Sequence, residues 1–354
     1  MNPAAVEKIA KAVLYEGYML YPYRPSAVKN QQRFNFGVLY PQSYSEAQKG
    51  TDPWMLQTEC LLQGSAQTSV EIHLRFLHLT ARSVEGRVEA TPDADGCSEP
   101  EFAPVKSLEV DGQKFYEWQE AVERELIVWP PRISELVRQP QQSAVNLLYS
   151  QTHAPILDRD GNVAGQLVRT QQSINGEIYV SADLVSEGVY KIAVRVLNVT
   201  PFGGPRCSRR EDALMRSLVS VHVILGATDG EFVSLLDPPE ALHGSVALCR
   251  NVGFFPVLVG EEGQRDTMLA SPIILYDYPQ IAPESARDLF DGTEIDEILS
   301  LRILTMTDEE KAEMRQSDDR TRQLLESIET LPAEHLMKLH GVLRGLRPLQ
   351  EDAP

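Results

Sequence analysis

A chain of 354 residues that is 42% apolar can fill one large hydrophobic core or two ordinary ones, which excludes global disorder. Its 51 Asp and Glu against 33 Lys and Arg leave a formal charge of −18, and this argues against nucleic acid as a partner because phosphates demand a basic face. No apolar run approaches the roughly 18 to 20 residues that span a bilayer, and the N-terminus lacks an apolar signal core, so a soluble, cytoplasmic protein without a membrane span is expected.

Val6, Ile9, Ala10, Val13 and Leu14 follow the spacing of an amphipathic helix, which predicts a helix over 3–16 with Pro3 in its first turn and a stop at Gly17. Val13 to Pro41 then holds seven of the chain's aromatics, Tyr15, Tyr18, Tyr21, Tyr23, Phe34, Phe36 and Tyr40, interleaved with Arg24, Lys29 and Arg33. Pro22 and Pro25 keep this anchor segment extended, and Arg33–Tyr40 alternates as a strand would. Residues 42–58 read as a loop.

Val70–Arg82 is the first clear strand, with Ile72, Leu74 and Phe76 on one face. A loop is expected over 83–104, while Phe115–Trp129 fits strand and helix alike. Ile178–Thr200 predicts two strands joined at Glu187–Gly188, Val219–Leu225 a further strand, and Phe232–Leu236 and Val246–Val259 short ones. Short strands at this spacing favour a mainly β (α+β) fold, an antiparallel β-sandwich body with an N-terminal helix and a C-terminal helical region. Three regions follow. They are 1–45, the helix and anchor; 46–275, the β body, with 46–140 and 165–275 as candidate halves; and 276–354, an extended linker and acidic helices. Ile72–Thr80 and Ile192–Thr200 match at Ile, Arg, Leu and Thr, which a duplicated half would explain, as would chance recurrence of a buried strand with one outward arginine.

A helix is expected near Thr293. Thr307 and Glu310 form a capping-box pattern ahead of a polar helix of about five turns reaching Ile328, and Pro332 opens a last short helix. Charge is uneven: residues 1–45 carry five basic and two acidic side chains, and 277–329 carry six basic and 15 acidic. The two ends therefore attract each other within the fold or present opposite charge to a partner.

The four cysteines, Cys60, Cys97, Cys207 and Cys249, form no C-x-x-C pair. His73 and His78 are five apart on a strand and face opposite ways, and His335 and His340 miss the helical spacing of metal pairs. Asp158–Asn162 resembles the start of a calcium loop but lacks the glutamate at its twelfth position, so a turn is expected. Cys207, flanked by Arg206, Arg209 and Arg210, is the most activated thiol; the same loop offers an anion site. The anchor aromatics fit two roles, lids on a small core or a partner-binding surface of Tyr15, Tyr18, Tyr21, Tyr23, Arg24, Lys29, Arg33, Phe34 and Phe36. These residues point to no catalytic or metal set and no cofactor.

The stretches LYEGYMLYPYRPSAVKNQQRFNFGVLYP, FVSLLDPPE and SPIILYDYPQIAPESARDLFDGTEIDEILSLRILTMTDEEKAEMRQSD resemble those of an uncharacterised bacterial family encoded in [NiFe]-hydrogenase gene clusters. The resemblance carries no catalytic residues. It implies a context of hydrogenase assembly or association, with hydrogenase subunits or maturation factors as partners. Together with the absence of a Cys/His cluster, it favours a non-enzymatic accessory or assembly protein that binds a partner protein. The alternative is a small-ligand or anion-binding protein, or an enzyme, using the Cys207 loop.

Overall fold

The computed structural model describes residues 3–15, 23–24, 35–88, 101–128, 131–203, 209–280, 296–317 and 319–330. The fold is mainly antiparallel β with an N-terminal helix and C-terminal helices, the class expected from the sequence. It divides into two compact units, residues 1–18 with 32–280 and residues 19–31 with 281–354.

The first unit is built on one strand. β1 runs from Met55 to Val88, well beyond the expected Val70–Arg82, so the first part of what reads as the 83–104 loop is strand. It pairs with five of the others: β2 (Glu101–Val105), β5 (Trp118–Val128), β8 (Val163–Gln171), β10 (Val189–Asn198) and β11 (Val219–Val233). Register shifts at Gly64/Ser69 and Arg75/Leu77 mark bulges, which bend a strand and let one edge serve first β10 and then β5. Among the described residues, β6 (Gln141–Leu147), β7 (Ser150–Leu157), β9 (Ile174–Ser186), β12 (Phe255–Leu258) and β13 (Thr267–Ser271) complete an 11-stranded network. β3 (Ser107–Val110) and β4 (Gln113–Tyr116) form a separate hairpin.

Several local expectations meet a different outcome. Gln42–Ala47 is a short helix where a loop is expected, and the anchor's C-terminal end is a single bridge, Leu39 to Leu218, in place of a strand. Phe232 and Val233 end β11 and start no strand of their own, and His243–Val246 is helical before β12 begins. The β9–β10 turn falls at Glu187–Gly188 as expected, with Gly188 at φ +72°. The two similar segments hold different places: Ile72–Thr80 lies between β11 and β5, Ile192–Asn198 between β1 and β9.

The inner face of β1 explains how the body coheres. Ile72, Leu74 and Phe76 enter the main core with Val194, Val223 and Phe232. Farther along, Val84 joins a smaller core with Ile156 and Leu167, over which Leu108 and Phe115 of the β3–β4 hairpin pack. Between these apolar stretches the same face carries His78, Thr80 and Arg82, all buried. Two cores are thus separated by a polar belt.

The helix α1 (Pro3–Tyr15) covers the other side of the sheet, packing on β1, β11 and β13 with Val6, Ile9, Ala10, Val13 and Leu14 buried, as its periodicity predicts. Each of the valine, isoleucine and leucine side chains contributes about 1.5 to 3 kcal/mol when fully buried. Beneath it Arg75 pairs with Glu7 (2.6 Å) and Glu125 (2.9 Å), and His73 approaches Glu125 (2.9 Å) and Glu71 (3.2 Å).

In the second unit, helices Asp296–Leu304, Asp308–Ser317 and Asp319–Glu329 bury Leu299, Ile303, Met314, Leu325 and Ile328. The capping box is formed: Thr307 N donates to Glu310 Oε2 (2.9 Å) and Glu310 N to Thr307 Oγ1 (3.2 Å). The expected five-turn helix is instead two. Arg315 (2.8 Å) and Lys311 (3.5 Å) both reach Glu329, which a continuous helix at 1.5 Å per residue forbids, so the chain reverses between them. The last short helix expected from Pro332 lies outside the described residues.

Candidate functional site

The anchor segment is tied into the fold wherever it is described. Tyr15 is buried and donates to Glu123 Oε1 (2.8 Å). Tyr23 is buried with φ +55°, and Arg24 pairs with Glu310 at 2.9 Å inside the second unit. The carboxylate that caps the Asp308–Ser317 helix therefore also pairs with Arg24. Phe36 is half-buried; Tyr18, Tyr21, Lys29, Arg33 and Phe34 lie outside the described residues.

Of the arginine-rich loop, Arg206 and Cys207 lie outside the described residues. Arg209 forms a two-bond pair with Asp212 (3.0 and 3.1 Å), and Arg210 contacts Asp52 (3.4 Å) while stacking over Tyr40, 5.3 Å from its centroid. The anchor and the loop, separate in the sequence, meet at this cation–π contact. Burial pushes the Tyr40 hydroxyl pKa up, so the ring stays neutral beneath the guanidinium.

The other candidates are simple. His73 and His78 face opposite sides of β1. Asp158 Oδ1 accepts from the backbone N–H of Asp160 and Asn162, a turn as expected. No group of three or more His, Cys, Asp or Glu among the described residues is placed to hold a metal.

A junction that sequence reading misses joins all three stretches carrying the family resemblance. Gly37, at φ +54°, lies against Pro272, where a Cβ would come within 2.6 Å of the proline ring, and its carbonyl accepts from Val221 N (3.0 Å). Asp277 accepts from Ser234 Oγ and from Leu258 N (2.7 Å), fastening Ser271–Tyr278 to Phe232–Glu240 and to β12. Ser234 Oγ in turn accepts from the N–H groups of Leu236 and Asp237. Around this bond Ile274 is 90% exposed, Tyr276 83%, and Leu236 is exposed as well. The Asp–Ser tie thus holds apolar side chains out in solvent. The sequence signal is present in the run Ile273–Tyr276, but nothing in the sequence says that Asp277 bonds Ser234.

The belt on the inner face of β1 was also missed. Glu120 of β5 accepts from Arg82 (3.0 Å) and, through both oxygens, from Arg169 of β8 (2.8 and 3.3 Å). Arg124 donates to Gln171 Oε1 (3.3 Å), and Gln171 donates to Thr80 (2.9 Å). The trace visible in the sequence is the continuation 78, 80, 82 of an apolar face with His, Thr and Arg.

Compared with protein-family models and with curated proteins, the chain matches none.

Proposed function

We propose that this chain is a non-enzymatic accessory protein that docks on a partner protein, a hydrogenase subunit or maturation factor as the resemblance implies, through the junction around Asp277. One observation carries this reading: the three stretches that resemble the hydrogenase-cluster family converge there, through Gly37–Pro272 and Ser234–Asp277, and display Ile274, Tyr276 and Leu236 to solvent. Large apolar and aromatic side chains left in solvent are the residue types that protein-binding surfaces use. Tyr15, Tyr23 and Tyr40 of the anchor are buried and serve the interior, and Phe36 is half-buried, so the apolar contact is assigned to the junction.

A tagged copy expressed in its native cells is expected to retain a partner. The double variant Ile274→Asp, Tyr276→Asp should lose that partner while its melting temperature stays within a few degrees of the parent, because both side chains are already exposed. Recovery of this chain alone from native cells, or equal retention by the double variant, overturns the reading.

A further inference from the structure

The sheet ends on an edge that carries no charge. Residues 139–157 contain no Lys, Arg, Asp or Glu, the longest such stretch of a chain in which 24% of residues are charged. They supply β6 and β7, which together form one side of a single long ribbon. β6 pairs with β9 as far as Leu147 opposite Ile174, and β7 resumes in the same register on β8 with Ser150 opposite Gln171. Between them the ladder is interrupted at Leu148 and Tyr149, across from Gln172, whose carbonyl oxygen lies 2.8 Å from the ring of His78. Among the described residues neither β6 nor β7 has a second strand on its outer side.

A row of unpaired backbone groups recruits other strands, and proteins blunt such edges by keeping them short or by placing charges along them. The opposite end of the sheet is kept short, since β12 has four residues. The edge made by β6 and β7 is long and uncharged. At its midpoint it also displays apolar side chains, with Leu148 84% exposed and Tyr149 54%. Beyond them Ser150, Gln151, Thr152 and His153 are exposed as well.

Charge selects the occupant. Two copies of a chain of net charge −18 repel over most of their surfaces, and along this edge they meet with no like charges opposed. A foreign strand finds no charge here to steer it or to fix its register. A two-fold axis at Tyr149 sets Asn146 opposite the second copy's Thr152, amide against hydroxyl, and Ala144 opposite its Ala154, methyl against methyl. It also gathers Leu148 and Tyr149 of both copies at the centre, where the anchors of an interface belong. The pairing is antiparallel, like the β6–β9 and β7–β8 pairs that it extends. Pro155 has no N–H to donate, so the ladder is confined to the residues between Ser143 and Pro155.

We propose that two copies of this chain join along residues 144–154 into one continuous antiparallel sheet, across a two-fold axis at Tyr149. The interface uses different residues from the Asp277 junction, so either reading can fail alone.

Sedimentation equilibrium of the purified full chain from about 1 to 100 μM, with hydrogen exchange at both ends of that range, tests it. A monomer–dimer equilibrium is expected within the range, and it should tighten as salt is raised because screening lessens the repulsion between two acidic copies. The amides of residues 144–154 should gain protection as the dimer forms. Tyr149→Lys sets two ammonium groups together at the axis and should weaken the dimer by about a hundredfold or more, and Thr152→Lys should weaken it by about tenfold or more. Both side chains are exposed, so neither substitution should unfold the monomer, which a melting curve checks. A monomer across the whole range, a Tyr149→Lys dimer as tight as the parent, or protection that spares residues 144–154 each overturns the proposal. Edge amides protected only when a different chain co-purifies from native cells also overturn it, and assign the edge to a strand of that chain. Should Tyr149→Lys fail to fold, Thr152→Lys and the exchange pattern of the unaltered protein decide.

Discussion

The two faces of β1 near residues 71–82 handle charge in opposite ways. Under α1, Arg75 has two carboxylates, Glu7 and Glu125, and His73 has Glu71 and Glu125. On the inner face Arg82 and Arg169 share Glu120, while Arg124 donates to Gln171. The outer network has carboxylates to spare and loses little when one is removed; in the inner belt Glu120 serves two arginines at once. Distribution of partners, more than the number of ion pairs, decides where the sheet is fragile.

Breaking the inner face should therefore have the largest effect. Glu120→Ala leaves Arg82, only 7% exposed, without its carboxylate, and a loss of about 3 to 5 kcal/mol in denaturant unfolding is expected. A loss below about 1 kcal/mol would mean that the arginines are compensated by other means.

The next effect is read from acid. His222 of β11 is fully buried beside the outer network, facing Arg75 of β1, Glu125 of β5 and Glu7 of α1, and burial pushes its pKa down to about 4. An unfolded histidine takes up its proton near 6.5, so the stability from keeping it neutral is full above that pH and is lost as pH falls towards 4. The loss amounts to about 3 kcal/mol. Unfolding measured across this window, with His222→Leu flattening the dependence, checks the sign. Despite their burial, Glu7 is held below the usual carboxylate range by Arg75 and Lys11, and Glu125 by His73 and Arg75, so the stability they contribute is lost as pH falls from that range through their lowered pKa values.

The smallest effect belongs to Glu7→Gln. Arg75 keeps Glu125, and the cost should be about 0.5 to 1 kcal/mol, shrinking as salt is raised. A larger cost would show that α1 is pinned by that ion pair more than by its apolar stripe.

Where a local pattern carries the physics, the sequence is readable. The α1 stripe, the Ile178–Thr200 hairpin, Val219–Leu225 and the Thr307–Glu310 cap all depend on spacings of two to four residues, and all are observed. The reach of β1 is different, because its middle, Gln63–Ser69, is polar and becomes strand only through partners distant in sequence. The Asp308–Glu329 reversal fails for a related reason: its helical pattern continues while tertiary contact with Glu329 selects the turn. The belt and the Asp277 junction are legible only in part, since register, which no local pattern encodes, brings Glu120, Arg124 and Arg169 across β1.

The long first strand also sets a schedule for the ribosome. β1 is complete at Val88, yet the strand that covers one of its edges from Leu61 to Leu77 begins only at Val219. At about 5 to 20 residues per second, that edge waits on the order of ten seconds for its partner. Through that interval a nascent chain displays Ile72, Leu74 and Phe76 beside unpaired backbone groups, the pattern that recruits other strands. Yield in a crowded cell should therefore respond to translation speed and to chaperones that shield emerging β-rich segments.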